Sequence, residues 1–222
     1  EDADGLTGFV DEFSALGVRV DPLDRAALTE RLPGLKNEWQ LGAWEPDCCD
    51  IDVAGLHQLW LAQARRLGAE LLCRAPLTAA QRGADGWTLM LTSAREYAAR
   101  VLINAAGAWA DPVAEMAGVA SLGMTALRRT VAQLRMGTPV PADLPLVLGF
   151  DGSFYFKPEG GKLWLSPHDE TPSAPCDAAP EELDVAIAID RFEAVINWPI
   201  AAVERKWAGL RTFAPDRLPV YG

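Results

Sequence analysis

The spacing of apolar positions changes several times along the chain, and each change marks an element. Val53, Leu56, Trp60, Ala64 and Leu67 fall on one helical stripe, with Asp50 or Asp52 placed to cap its start and Gly68 to end it. A short strand is expected at about 69–74. Strand-like stretches at 77–81, 87–92 and 97–103 follow, the first two joined through Asp85-Gly86. They predict a three-stranded meander. Farther on, SFYFK and KLWLS flank Pro158-Glu159-Gly160-Gly161 and read as a hairpin. With those four residues as the loop, Lys157 faces Lys162 and Tyr155 faces Trp164. Phe154, Phe156, Leu163 and Leu165 then form an apolar face that belongs on a core. Ser153, Tyr155, Trp164 and Ser166 form the other, which suits the floor of a small polar site or, equally, the outside of an ordinary amphipathic hairpin. Pro180-Glu181-Glu182 opens a predicted helix over 183–196, because proline lacks the unused donor and the acids face the helix dipole.

The composition narrows the function classes. With 222 residues, half of them hydrophobic, the chain can fill the core of one large or two small domains. Its formal net charge of −11 repels a phosphate backbone, and no cluster of Lys and Arg offsets this, so nucleic acid is not an expected partner. No apolar run approaches the ~18 residues of a membrane span. Cys48, Cys49, Cys73 and Cys176 contain no CxxC and no disulfide framework, which points to a reducing, cytoplasmic setting. No metal site is expected: His168, Asp169 and Glu170 are consecutive and do not converge, and His57 reads as structural beside its helix stripe. The acids at 24–30 and 181–184 read as solvated helix starts. Glu1 is not a start methionine and Gly222 stops straight after LPVYG, so a piece of a longer protein is expected.

The most suggestive chemistry lies in VLINAAGAWADPVAEMAGV, residues 101–119. A strand delivers Asn104, Ala105, Ala106 and Gly107 into the start of a helix, with no large side chain before Trp109. Backbone amides left unpaired there can receive an anionic group such as a pyrophosphate. The same small residues also serve tight strand–helix packing.

VLINAAGAWA, DIDVAGLHQLWLAQARRLGAEL, SFYFKPEGGKLWLSPHDETP and KWAGLRTFAPDRLPVYG occur in an order that resembles the D-amino-acid oxidase (DAO) superfamily of FAD-dependent oxidoreductases. Within it, FY-K-P, S-P, the Pro-Glu-x-Leu-Asp helix and WAGLR are nearest to the D-amino-acid and D-arginine dehydrogenases. The resemblance implies an α+β fold, in which a mostly antiparallel substrate-domain sheet with packed helices joins part of an FAD-binding domain. It divides the chain into substrate-domain helices and linker (1–50), partial FAD-binding domain (51–120), substrate-binding domain (121–205) and a return strand (206–222). The family's GxGxxG fingerprint is absent from these residues, and so is its C-terminal flavin segment. The resemblance therefore implies a middle fragment, inactive alone, that holds FAD weakly or not at all. An exposed sheet edge would then favour a homodimer.

The resemblance also assigns roles. Leu77 stands where the family's main chain meets the adenine. Ala105, Ala106, Gly107 and Trp109 match residues that pass the flavin or its pyrophosphate. Tyr155 and Arg211 match the tyrosine and arginine that hold the substrate carboxylate, and Arg129 matches a second pocket arginine, with its neighbour Arg128 as the other candidate. A guanidinium fork suits a carboxylate in a way that an ammonium does not. Leu146 and Leu148 match an apolar pocket wall, though core packing explains them equally. The implied reaction is oxidation of the Cα–N bond of a D-amino acid to an imino acid, with hydride transfer to the flavin. A sarcosine, glycine or 2-hydroxy-acid oxidoreductase, or a non-catalytic ligand-binding domain, stays open beside it.

Overall fold

A computed structural model describes residues 3–221. The fold is mixed α and β, with five α-helices and eleven strands among the described residues, every strand pair antiparallel. The chain divides into two compact units, Glu1–Pro46 with Gly123–Gly222, and Asp47–Leu122.

The first unit opens with α1 (Ala3–Ala15), and β1 (Asp21–Leu23) pairs with β2 (Gly42–Trp44). Between them α2 (Arg25–Arg31) is capped by Asp24, whose side chain accepts from the amide of Ala27 at 2.9 Å. The main sheet is built on the long strand β6 (Thr125–Met136), which β11 (Ile200–Phe213) flanks along its whole length. β9 (Lys162–Ser166) and the short β10 (Thr171–Pro172) also pair with β6, and β8 (Tyr155–Glu159) and β7 (Val147–Leu148) continue the sheet beyond β9. Phe156, Leu163, Leu165 and Leu134 are fully buried on one side with Phe192, Ala188 and Val195 of α5 (Glu182–Val195). Phe156 meets Phe192 edge to face at 5.1 Å.

The β8–β9 hairpin departs from the four-residue loop expected of it. Gly160 and Gly161 both adopt positive φ (57° and 74°), so two residues suffice for the turn and Glu159 pairs with Lys162. Tyr155 therefore lies opposite Ser166, and Lys157 opposite Trp164. The pairing moves by two residues, a full strand period, and each side chain keeps its expected face.

Of the acids at 181–184, Glu181 is exposed as expected, but Asp184 is not solvated. Asp184 is buried and accepts from Arg128 at 2.9 Å and from the Thr130 hydroxyl at 3.3 Å, while Glu181 pairs with the same Arg128. Asp169 closes this cluster by accepting from the Thr130 amide at 2.7 Å and hydroxyl at 2.9 Å. The helix start is thereby tied to the sheet by charge-assisted hydrogen bonds.

In the second unit, α3 (Val53–Arg66) is capped by Asp52 through the amide of Gly55 at 2.8 Å. β3 (Leu77–Gly83), β4 (Gly86–Leu91) and β5 (Glu96–Ala99) form the expected meander. A one-turn 3-10 helix (Gly107–Trp109) then leads into α4 (Ala110–Met116). The strand expected at 69–74 does not form, and the one expected over 97–103 stops at Ala99. A strand exists only as half of a ladder, and no described segment pairs with residues 69–74 or 101–103.

Candidate functional site

The expected site residues lie in two places, one in each unit. In the first unit, strand register decides which side chains share a face. Arg129 lies opposite Gly209, and Val131 opposite Trp207; Gln133 lies opposite Trp164 on the other flank of β6. Alternation then brings Arg211, two residues beyond Gly209, to the face of Arg129, and Tyr155, two residues before Lys157, to the face of Trp164. Tyr155, Arg129 and Arg211 thus stand on one side of the sheet, away from the core. Gly209 leaves open space between the two arginines, since a Cβ added there would meet nothing within 4 Å.

The three groups also feel one another. The Arg129 guanidinium is held below its ordinary pKa, first by burial and next by the positive charge of Arg211, against the opposing influence of Tyr155, Glu170 and Asp169. Arg129 is only 6% exposed. Its Nε donates to the Asp169 carbonyl at 2.8 Å and its Nη2 to Glu170 at 3.2 Å, whereas its buried Nη1 has no hydrogen-bond partner. A buried donor without a partner costs free energy that an added acceptor would recover. Arg211 is exposed, lies 5.8 Å from the centre of the Phe213 ring, and makes no ion pair among the described residues. Leu148 pairs with Tyr155 across β7 and β8 and is exposed, as is Leu146, so neither is a core residue.

Register also separates the two adjacent arginines. Arg128 points to the opposite side, into Glu181 and Asp184, and its pKa is raised chiefly by the hydrogen bond to Glu181. Arg129 alone of the two shares a face with Arg211.

In the second unit, the turn at 104–110 is organised by Asn104. Its Nδ2 donates to the Ala110 carbonyl at 2.8 Å and its Oδ1 accepts from the Ala106 amide at 3.2 Å. The sequence places Asn104 at the head of this segment but gives it no role, although an asparagine ahead of small residues is the signal of a side-chain-closed turn. Gly107 has φ 57°, and nothing lies within 4 Å of where its Cβ would be. Ala105 and Gly107 are exposed, Ala106 is half-buried, and the Trp109 ring is exposed beside them. Leu77 starts β3 opposite Leu91, just before a bulge at Thr78. Open backbone, a left-handed glycine and an accessible indole fit the close approach of a phosphate-bearing, planar cofactor.

The model of the DAO family, described as FAD dependent oxidoreductase, matches residues 1–222. The chain belongs to this family. FAD is therefore the cofactor of the family to which it belongs. The fold matches that of glycine oxidase from Geobacillus kaustophilus with a TM-score of 0.84 at 21% identity, covering 100% of this chain and 58% of that one. L-proline dehydrogenase from P. horikoshii matches with a TM-score of 0.83 at 19% identity, covering 100% and 61%. Among curated proteins, mouse mitochondrial dimethylglycine dehydrogenase is 26% identical over 84% of this chain and 24% of its own length. Hydrogen cyanide synthase subunit HcnC of Pseudomonas aeruginosa is 26% identical over 100% of this chain and 52% of its own. The chain thus spans about half, or less, of the curated relatives it matches.

No helix among the described residues is long and apolar enough to cross a membrane. No group of three or more His, Cys, Asp or Glu residues among them is arranged to hold a metal ion.

Proposed function

We propose that the protein containing this chain oxidises the Cα–N bond of a D-amino acid to an imino acid, and that Arg211, Tyr155 and Arg129 grip the substrate carboxylate. The observation that carries this reading is the unpartnered Nη1 of Arg129, buried on the sheet face that also bears Arg211 and Tyr155. A carboxylate is the ligand that such a face lacks. It accepts from a guanidinium fork and offsets the repulsion between two neighbouring cations. Gly209 leaves room for it, and Leu148 offers an apolar surface to the rest of the molecule.

Bound FAD supplies the hydride acceptor. The residues of this chain bind and orient: the arginines fix the carboxylate, the Tyr155 hydroxyl adds a donor, and the α-carbon is thereby restricted in direction. Ala105, Ala106, Gly107 and Trp109, with Leu77, are the positions that would line the cofactor. Fixing the carboxylate says nothing of chirality, so the D configuration rests on the WAGLR and FY-K-P resemblance. Glycine, an N-methylated glycine or another small amine is the second reading, favoured by the similarity to glycine oxidase and dimethylglycine dehydrogenase. The exposed, free cysteines support a reducing, cytoplasmic compartment.

The test uses the FAD-loaded protein that contains this chain. D-amino acids, and not their L enantiomers, should bleach its yellow absorbance without oxygen. Bleaching by glycine or sarcosine alone favours the second reading, and ligand affinity that survives without flavin favours a non-catalytic binding domain. Arg211→Met should lower kcat/KM for carboxylate substrates roughly hundredfold, the size of a lost bidentate pair. Unchanged kinetics in that variant would remove Arg211 from the site.

A further inference from the structure

The consecutive residues His168, Asp169 and Glu170 do not converge on one point, but each touches a different part of the same sheet. His168 sets its ring edge to face against Tyr155, with centroids 5.7 Å apart. Asp169 bonds Thr130 through its side chain and accepts from Arg129 Nε through its carbonyl. Glu170 accepts from Arg129 Nη2 at 3.2 Å and from both terminal nitrogens of Arg217, at 3.0 and 2.6 Å.

A guanidinium is planar, so fixing two of its nitrogens fixes the third. Asp169 and Glu170 occupy the Nε–Nη2 edge of Arg129, which leaves Nη1 as its one nitrogen without a hydrogen-bond partner. Glu170 is itself held by the two-pronged pair with Arg217. Arg217 in turn lies 4.9 Å from the centre of the Phe213 ring, the ring that also carries Arg211. A continuous chain of contacts therefore runs from Arg211 through Phe213, Arg217 and Glu170 to Arg129. Among the described residues Glu170 is the one carboxylate shared by Arg129 and Arg217, and its pKa is held below the ordinary carboxylate value, first by the hydrogen bonds from Arg217 and then by the charges of all three arginines.

We propose that Glu170 is a positioning residue, which locks the Arg129 guanidinium so that its Nη1 edge, and no other, is presented to an anionic ligand. The ligand part of this statement rests on the carboxylate grip proposed above; the locking of Arg129 does not.

Both parts are tested on the full chain by NMR of the arginine side chains, with sodium acetate as the carboxylate probe. In the ligand-free protein, the Arg129 Nη protons should exchange slowly and rotation about its Nε–Cζ bond should be hindered. Glu170→Gln should free that rotation and weaken acetate binding about tenfold, the lower end of what one charge-assisted hydrogen bond contributes. Glu170→Asp should restore part of both effects. Arg217→Met, which leaves Glu170 in place but unbraced, should show smaller changes in the same direction and serves if the glutamine variant fails to fold. Arg129 motion unchanged in both Glu170→Gln and Arg217→Met overturns the proposal, whatever acetate does. A native chain that ignores acetate, with Arg129 still released by Glu170→Gln, supports the positioning role and sinks the carboxylate grip instead.

Discussion

The two units reach their secondary structure by different means. In the first, helices and sheet close over a cluster that includes Leu134, Phe156, Leu163, Leu165 and Phe192, and polar side chains such as Thr130 and Asp184 are buried with their partners. In the second, Ala80 is the one buried residue within 47–122, and the apolar stripe of α3 faces outward, with Val53 70%, Trp60 61% and Leu67 83% exposed. Caps and tight turns specify its elements all the same. Caps and turns thus mark where the helix and the meander begin and end, while cooperative stability requires burial, of which the second unit shows little among the described residues.

The largest expected effect comes from cutting into the core of the first unit. Phe156→Ala should cost about 3–5 kcal/mol in urea unfolding, whereas Trp60→Ala on the exposed stripe should change stability by less than about 0.5 kcal/mol. Comparable losses would show that the stripe is covered, and the contrast between the units would fail. Next, Arg128→Met leaves Asp184 and Asp169 without their cation and should cost about 2–3 kcal/mol, since the pair is mostly but not wholly dry. Hydrogen exchange sharpens the comparison further: β3–β5 amides should exchange much faster than those of β6, and equal protection would mean that the two units open together.

A smaller effect is set by pH. The folded-state pKa of Glu170 lies below the ordinary 4.5, so its contribution to stability is complete above that value. It is lost as pH falls through the depressed value, when protonation removes the charge that Arg129 and Arg217 share. Thermal unfolding of the first unit followed from pH 6 downward should show this acid loss, and Glu170→Gln should reduce it. An identical acid profile in the variant would mean that other carboxylates carry the whole effect. Smallest is Asp52→Ala, which should fray the start of α3 at a cost of about 1 kcal/mol, read as faster local exchange.

Much of the architecture was legible in order along the chain. Asp52 and Gly68 bracket α3, glycines mark both hairpins, and the Phe154, Phe156, Leu163 and Leu165 face was readable because strand side chains alternate with period two. That period is also why an error in the β8–β9 loop left the faces unchanged. Residues 69–74 and 101–103 were misread for the opposite reason: their composition favours a strand, but a strand needs a partner that periodicity cannot supply.

The amino-acid order alone determined the local elements and, through WAGLR, AAGAW and FYFKP, the family resemblance, because caps, turns and short motifs act within a few residues of chain. Only the tertiary structure decided that Arg129 and not Arg128 shares a face with Arg211 and Tyr155. It alone gave work to His168, Asp169 and Glu170, and buried Asp184 in the first turn of α5. Each of these depends on which strand lies beside β6 and in what register, a choice made by packing between residues far apart in the chain, such as Thr125 and Phe213.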